Sequence, residues 1–189
     1  MLYHASQVAN IEVLEPKISN HNIPLIYFSD KKENVLVYLS NAVEKYCKDN
    51  HFSYEGIWKK WASYGFNKEG KLQLEEYYPN ALEETYKGIT GFIYHISNIK
   101  SEANFEINIP NAFALNQPVE VIGCEIVDDA YEEILYAERL GLIEVIRYDE
   151  FILSKKNWLI KTIKEQYAES EDQPDYRFFL KNKFDWILK

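Results

Sequence analysis

Three ring-bearing side chains near the start of the chain carry the chemistry that this sequence suggests. His4 lies in the apolar run of residues 2–6, Tyr27 lies in the apolar run of residues 25–29, and Tyr38 follows in a helical pattern. Both runs are typical of short strands. A histidine and a tyrosine at the ends of two strands can enclose a flat cationic ring, because aromatic faces attract positive charge.

The elements that position these rings are two strands and a helix. Residues 1–6 and 23–29 are predicted strands, and the stretch between them is predicted to be a loop. Residues 31–49 are a predicted helix with Asp30 as its N-cap, because the following residues match a capping box. Apolar residues then repeat at helical spacing, namely Leu36, Leu39, Val43 and Cys47.

The rest of the chain mixes strands and helices without a regular βαβ alternation. Strands are predicted at 91–96, 119–126 and 142–148, with a hairpin at 64–66 and 72–74. Helices are predicted at 79–87 and 129–140, followed by two C-terminal helices, the first of them capped by Ser154. This order favours an α+β fold over a doubly wound α/β fold.

Composition narrows the class of protein. The chain has 189 residues, 47% of them hydrophobic, and a net charge of −9, which disfavours general nucleic-acid binding. Cys47 and Cys124 lie in apolar patterns and are predicted to be buried free thiols, with no metal site. The start has no leader pattern and no window reads as a membrane span, so a cytoplasmic protein without membrane contact is expected.

The motifs around His4 and Tyr27 resemble the ADP-ribosyltransferase superfamily. The resemblance is to its histidine–tyrosine–glutamate branch, which includes the poly(ADP-ribose) polymerases. His4-Ala5-Ser6 is similar to that branch's His-Gly-Ser, and residues 25–29 are similar to its Gly-Ile-Tyr-Phe-Ala strand. The chain also resembles a bacterial family of uncharacterised proteins that open with Tyr-His-Ala-Ser and share features like residues 80–86 and 91–94.

The resemblance implies NAD as the bound substrate. On that basis His4 would hydrogen-bond ribose hydroxyls, and the backbone of Ala5 would pair with the nicotinamide carboxamide. Tyr27 and Tyr38 would stack on the nicotinamide ring, each contact contributing about 0.5–2 kcal/mol. The bond that breaks passes through an oxocarbenium-like state, so positioning and electrostatics would supply most of the catalysis.

The catalytic glutamate of the family is where this sequence departs from the pattern. Gln117 stands at the matching position, and a neutral amide cannot stabilise a developing cation as a carboxylate does. Losing one such contact costs on the order of 10²–10³ in rate. Glu120 is the fallback carboxylate, and Glu150, in a segment that superficially resembles the glutamate strand, ranks below it. Weak or absent transferase activity is therefore expected.

The resemblance also implies an architecture. Residues 1–153 would form an ADP-ribosyltransferase-like domain with a split antiparallel or mixed sheet and flanking helices. Residues 51–78 are interpreted as an insertion in that domain, and residues 154–189 as a C-terminal helical extension packed on it.

Two other functions remain open. The fold could serve as a non-catalytic module that binds a protein partner through the Trp58 and Trp61 region or through the C-terminal helices. It could also transfer an RNA 2′-phosphate onto NAD, but the acidic charge and the presence of only three arginines argue against that reaction.

Overall fold

The computed structural model describes residues 1–18, 23–55, 63–97 and 109–189, without the side chains of residues 63 and 64. Helices and antiparallel sheets both contribute, which confirms the predicted α+β class. The strands are β1 Leu2–Ser6, β2 Val13–Leu14, β3 Lys17–Ile18, β4 Pro24–Ser29, β5 Ser63–Phe66, β6 Leu72–Glu75, β7 Gly91–Ile96, β8 Ala112–Leu115, β9 Val119–Glu120, β10 Gly123–Val127 and β11 Ile143–Ile146. The helices are α1 Lys32–Val35, α2 Ala42–Asp49, α3 Ala81–Tyr86, α4 Ala130–Arg139, α5 Tyr148–Glu169, α6 Pro174–Lys183 and α7 Asp185–Leu188.

The first compact unit contains the main sheet. It comprises residues 1–39, 66–72 and 86–143. The strand order is β10-β7-β1-β4-β3, and β8 also pairs with β4. Every one of these pairs is antiparallel. A core cluster packs along β1, β4, β7 and β8, with the buried members Leu2, Leu14, Ile26, Phe28, Tyr94, Ile96 and Leu115.

Gly91 allows β7 to approach the turn that follows α1. A Cβ atom at Gly91 would collide with Cδ2 of the buried Leu39 side chain and lie 3.2 Å from the carbonyl oxygen of Ser6. A larger residue would require the Leu39 side chain to move, so glycine favours this close contact and is not there for an unusual backbone angle. The contact keeps the turn at Leu39 against the strand that adjoins β1.

The predicted helix over residues 31–49 is divided in the structure. A short α1 leads into a 3₁₀ turn, Leu36–Leu39, and α2 begins only after Asn41. The side chain of Asn41 accepts hydrogen bonds from the backbone N–H groups of Val43 and Glu44, at 3.0 and 3.4 Å. Asn41 therefore caps a new helix. The prediction of Asp30 as an N-cap is wrong, because Lys31 takes that position without a side-chain cap.

Two other predictions around β10 also need correction. The predicted strand over 119–126 is divided into β9, which pairs with β2, and β10, which pairs with β7. Cys124 is exposed, so its prediction as a buried thiol is wrong, whereas Cys47 is buried. Cys124 lies in β10, at one end of the strand order, where its side chain remains uncovered. An apolar pattern cannot distinguish an end strand from a central one.

The second compact unit comprises residues 40–65, 73–85 and 144–189. A sheet of order β11-β6-β5 and the helices α2, α3, α5, α6 and α7 belong largely to it. The predicted hairpin of residues 64–66 and 72–74 corresponds to β5 and β6. The buried core includes Val43, Cys47, Tyr77, Tyr78, Phe151, Leu159, Ile163, Tyr176, Phe179, Leu180, Phe184 and Ile187.

Helix α5 begins earlier than predicted. Its first residue is Tyr148, so the helix starts six residues before the predicted cap Ser154. The buried carboxylate of Glu76 explains this start, since it accepts from the N–H of Tyr148 at 3.2 Å and of Leu82 at 2.9 Å. The predicted domain boundary between 153 and 154 consequently falls inside α5. None of the described helices has both the length and the hydropathy to cross a lipid bilayer.

Candidate functional site

The two strands that carry the motif are neighbours in the main sheet. Strands β1 and β4 are joined by one Cα pair, Tyr3 with Ser29. By contrast, β1 pairs with β7 over five consecutive positions. In the described residues the β1–β4 ladder does not continue beyond Tyr3. His4 is the next residue of β1, and Tyr27 lies two residues before Ser29 in β4. A hydrogen-bonded ladder that stops within a sheet leaves backbone groups available to other partners.

The imidazole of His4 takes the place of the missing ladder contact. Its Nδ1 lies 2.9 Å from the backbone carbonyl oxygen of Tyr27. A carbonyl oxygen can only accept, so Nδ1 carries the proton in this contact. Burial lowers the pKa of His4, the bond to Tyr27 opposes that effect, and the charge of Lys17 adds to the lowering. The ring is therefore neutral at neutral pH, and its Nε2 is a hydrogen-bond acceptor.

The side chains of His4 and Tyr27 lie on opposite faces of the sheet. The His4 ring meets the Phe28 ring edge-on, with 6.0 Å between centroids and 60° between planes. Because successive side chains of a strand alternate, Tyr27 points away from the face that holds Phe28. The structure thus brings His4 to the backbone of Tyr27. The two rings therefore do not enclose a space on one face of the sheet, contrary to the expectation from the sequence.

Ala5 and Tyr38 occupy different environments. Ala5 is 6% exposed and pairs with Ile93 in β7. Tyr38 is 43% exposed and lies in the 3₁₀ turn rather than in a regular helix. The hydroxyl of Tyr86 donates to the carbonyl oxygen of Val37 at 3.1 Å and anchors this turn. Burial raises the pKa of Tyr86, so this hydroxyl stays a donor.

Gln117 and Glu120 are both exposed and lie in separate local structures. Gln117 is in a bend two residues after β8, whose last residue, Leu115, pairs with Ile26. Glu120 is in β9, opposite Val13 of β2. Within the described chain, neither residue makes a hydrogen bond to His4. Their assignment as catalytic groups stays a prediction.

Glu150 lies in the second unit and is not in a strand. It occupies the first turn of helix α5. Residues 149–153, which resemble the family's glutamate strand only superficially, are helical. Trp58 and Trp61 lie outside the described residues.

A charged cluster in the first unit escaped the sequence analysis. The Nε2 atom of His95 lies 2.8 Å from Oε1 of Glu125, and Oε2 of Glu125 lies 2.8 Å from Nζ of Lys32. The ring of Tyr3 meets the His95 ring edge-on at 5.4 Å. The hydrogen bond from Lys32 is the main reason that the pKa of Glu125 is lowered, and His95 contributes further.

No local pattern could have revealed this cluster. His95, Glu125 and Lys32 belong to β7, β10 and α1, and the pairing of His95 with Gly123 sets Glu125 two positions along the neighbouring strand. Two residues displaced by two positions share a face. Across the described ranges, no group of three or more histidine, cysteine or acidic side chains is arranged to hold a metal ion.

Comparisons of the chain with protein-family models, with curated proteins and with solved structures found no match. The function therefore has to be inferred from the residues and geometry of this chain.

Proposed function

We propose that the first unit binds NAD at the junction of β1 and β4, as an ADP-ribosyltransferase-like protein with weak or no transfer activity. One observation carries the proposal. The motif strands are neighbours whose ladder stops after Tyr3 and Ser29, and His4 bridges the next position through the Tyr27 carbonyl. A ligand at this junction would meet a side chain, rather than a continuous backbone ladder, between the two strands.

The hydrogen-bonding state of His4 suits a sugar ligand. With Nδ1 donating to Tyr27, the neutral ring presents Nε2 as an acceptor for a ribose hydroxyl. The orientation of the ring is already set by the protein, so little of the binding free energy is needed to order it. Tyr27 and the half-exposed Tyr38 would supply aromatic faces for the cationic nicotinamide ring.

The weak activity follows from the residue at the position of the family's catalytic glutamate. Gln117 is exposed and uncharged, and Glu120 lies in a different two-stranded sheet. Without a carboxylate near the breaking bond, the rate is expected to be lower by a factor on the order of 10²–10³. Binding is thus the expected activity, and transfer or hydrolysis a slow secondary one.

Thermal denaturation with and without NAD tests the binding step. A ligand at 100 times its Kd stabilises a protein by about 2.7 kcal/mol, so saturating NAD should raise the Tm of the wild type measurably. His4→Ala should abolish the increase. His95→Ala is the matched control, since it changes a histidine in the adjacent strand of the same sheet and should keep the response. An unchanged wild-type Tm, or an equal increase in His4→Ala, would contradict the proposal.

Gln117→Glu tests the assignment of the catalytic position. If Gln117 occupies that position, the variant should release nicotinamide from NAD faster than the wild type by on the order of 10²-fold, measured by chromatography. Glu120→Gln tests the fallback carboxylate, because a rate of nicotinamide release below that of the wild type would assign the catalytic role to Glu120. If NAD still binds Gln117→Glu but nicotinamide release does not increase, the position is assigned wrongly while the binding proposal stands.

A non-catalytic protein-interaction module is the second candidate. Exposed apolar side chains on the C-terminal helices favour it, since Leu153 is 87% and Trp186 41% exposed. A contiguous exposed apolar patch marks an interaction surface, and these side chains would belong to one. The NAD titration distinguishes the two functions, because a partner surface on these helices predicts no response of the Tm to NAD.

A further inference from the structure

The ammonium group of Lys183 lies in an aromatic pocket of the second unit. Its Nζ is 4.6 Å from the ring centroid of Tyr46 and 5.0 Å from that of Tyr78. It also forms an ion pair with Glu84. The side chain of Lys183 is only 16% exposed. Two aromatic faces and a carboxylate are the groups that recognise ammonium ions in proteins.

The aromatic walls are held by the core rather than by Lys183. The Tyr46 ring packs on Phe178 and Phe179, with centroid distances of 5.6 and 5.7 Å. The Tyr78 ring meets Phe179 and Phe184 at 5.9 and 5.8 Å. These contacts do not involve the lysine, so the walls should persist when its ammonium group is removed.

Space and charge beside the walls also suit a cation. A pocket of about 220 Å³ is lined by Lys183, Tyr46, Tyr78 and Glu84, and also by Lys45, Asp49 and Asn50. Lys45 is neutralised by Asp49, since their charged groups are 2.7 Å apart. Among the described residues the ion-pair partner of Glu84 is Lys183, and displacing it would leave one negative charge beside two aromatic faces.

We propose that Tyr46, Tyr78 and Glu84 form a binding site for the ammonium group of a small primary amine, and that Lys183 occupies this site as an internal competitor. The volume fits a small molecule rather than a peptide segment. An external ligand can bind only while the internal competitor is displaced. Its apparent Kd is therefore the intrinsic Kd divided by the fraction of molecules in which the site is vacant. The wild-type protein should thus bind amines more weakly than a variant without this lysine.

Lys183→Ala tests the site with n-propylammonium chloride as the probe. The Tm is measured in rising concentrations of the probe and, separately, in sodium chloride at equal ionic strength. The variant should show an increase in Tm that sodium chloride does not produce, and the wild type should need an amine concentration about ten-fold higher or more.

Three further variants separate the site from general salt effects. Lys183→Met should not respond, because the neutral side chain fills the site. Lys181→Ala, which removes an exposed lysine from the same helix, should behave as the wild type. Adding Glu84→Gln to Lys183→Ala should weaken the response. Equal increases in all variants, or no amine-specific increase in Lys183→Ala, would overturn the proposal.

The wild-type protein provides a second measurement should Lys183→Ala fail to fold. In protein labelled with ¹³C in its lysines, the Cε resonance of Lys183 should be shifted by the two tyrosine rings and can be assigned by its loss in Lys183→Met. Titration with n-propylammonium should move this resonance towards the position of exposed lysines. If this resonance does not move even at the highest amine concentration, the amine does not displace Lys183 and the proposal is wrong.

Discussion

His4 and His95 lie in adjacent antiparallel strands of one sheet but have opposite chemical surroundings. His4 contacts the neutral carbonyl of Tyr27 and the ring of Phe28. His95 contacts the carboxylate of Glu125, which also binds Lys32. In the first region burial dominates and lowers the pKa of the histidine. In the second region the paired charges dominate and lower the pKa of the carboxyl group.

Of the two histidines, His4 has the surroundings that suit a neutral ligand. The partly buried His4 ring already uses its Nδ1 as a donor, so its Nε2 is left as an acceptor. A ligand hydroxyl group could donate a hydrogen bond to this atom. His95 lies instead beside a carboxylate that is already paired with the ammonium group of Lys32. The hydrogen-bond geometry therefore supports the proposal that His4, rather than His95, meets the ligand.

The largest expected effect is the loss of the His4 ring. His4→Ala removes packing against Phe28 and leaves the carbonyl of Tyr27 without its donor, which should lower the free energy of unfolding by about 2–3 kcal/mol. Urea denaturation measures this change. His4→Asn, which retains a donor, should recover part of it. If His4→Ala loses less stability than Glu125→Gln, the surroundings of His95 contribute more to stability than those of His4.

Removing the hydroxyl of Tyr94, which pairs with His4 across β1 and β7, should cause the next largest loss of stability. The hydroxyl of Tyr94 donates to the carbonyl of Val8 at 2.6 Å and accepts from the N–H of Ile11 at 3.3 Å. Tyr94→Phe leaves both backbone groups unpaired and should cost about 1–2 kcal/mol of stability, measured in the same urea series. Phe92→Leu, two positions away in β7, is the control for general changes in the strand.

Removing the charge of Glu125 should have a smaller effect. Both Lys32 and Glu125 are close to half exposed, and pairs of this kind contribute about 0.2–1 kcal/mol. Glu125→Gln should therefore change the stability by no more than that, and the change should shrink in high salt because salt screens exposed charges. A salt-independent loss above that range would show that the cluster holds β7, β10 and α1 together.

The smallest expected effect is a pH dependence that differs between the two regions. The pKa of His4 is lowered from 6.5 in the folded state, so the unfolded chain takes up this proton first and stability should fall as the pH decreases through 6.5. The pKa of Glu125 is lowered from 4.5, so its contribution is lost only as the pH falls below 4.5.

Urea denaturation between about pH 7.5 and about pH 5.5 isolates the histidine. His4→Asn should lose less stability than the wild type over this interval, whereas Glu125→Gln should follow the wild type. Equal slopes for His4→Asn and the wild type would mean that His4 titrates normally.

Elements with local signals were predicted well. Helix α4 begins after Asp129, whose side chain accepts from the N–H of Tyr131 at 2.9 Å, and the chain leaves it at Gly141 with a φ of 70°. Both signals are present in the sequence as a cap and a glycine. Strands β1, β4 and β7 also lie at the predicted places, because their apolar runs are bounded by polar or turn-forming residues.

Elements set by distant partners were predicted poorly. The start of α5 depends on Glu76, which lies 72 residues before Tyr148. The separation of β9 from β10 depends on their pairing with β2 and β7. Neither partner can be recognised from the local pattern, since any apolar run offers the same potential pairs.

The sequence by itself determined the α+β class, the two motif strands and the identity of the rings they carry. These follow from local periodicity, caps and turn residues, which act within a few positions of the chain. Only the tertiary structure decided that His4 binds the carbonyl of Tyr27, that His95 joins Glu125 and Lys32, and that Lys183 reaches the rings of Tyr46 and Tyr78. Each of these contacts joins residues far apart in the chain, so it exists only once strand register and helix packing have brought them together.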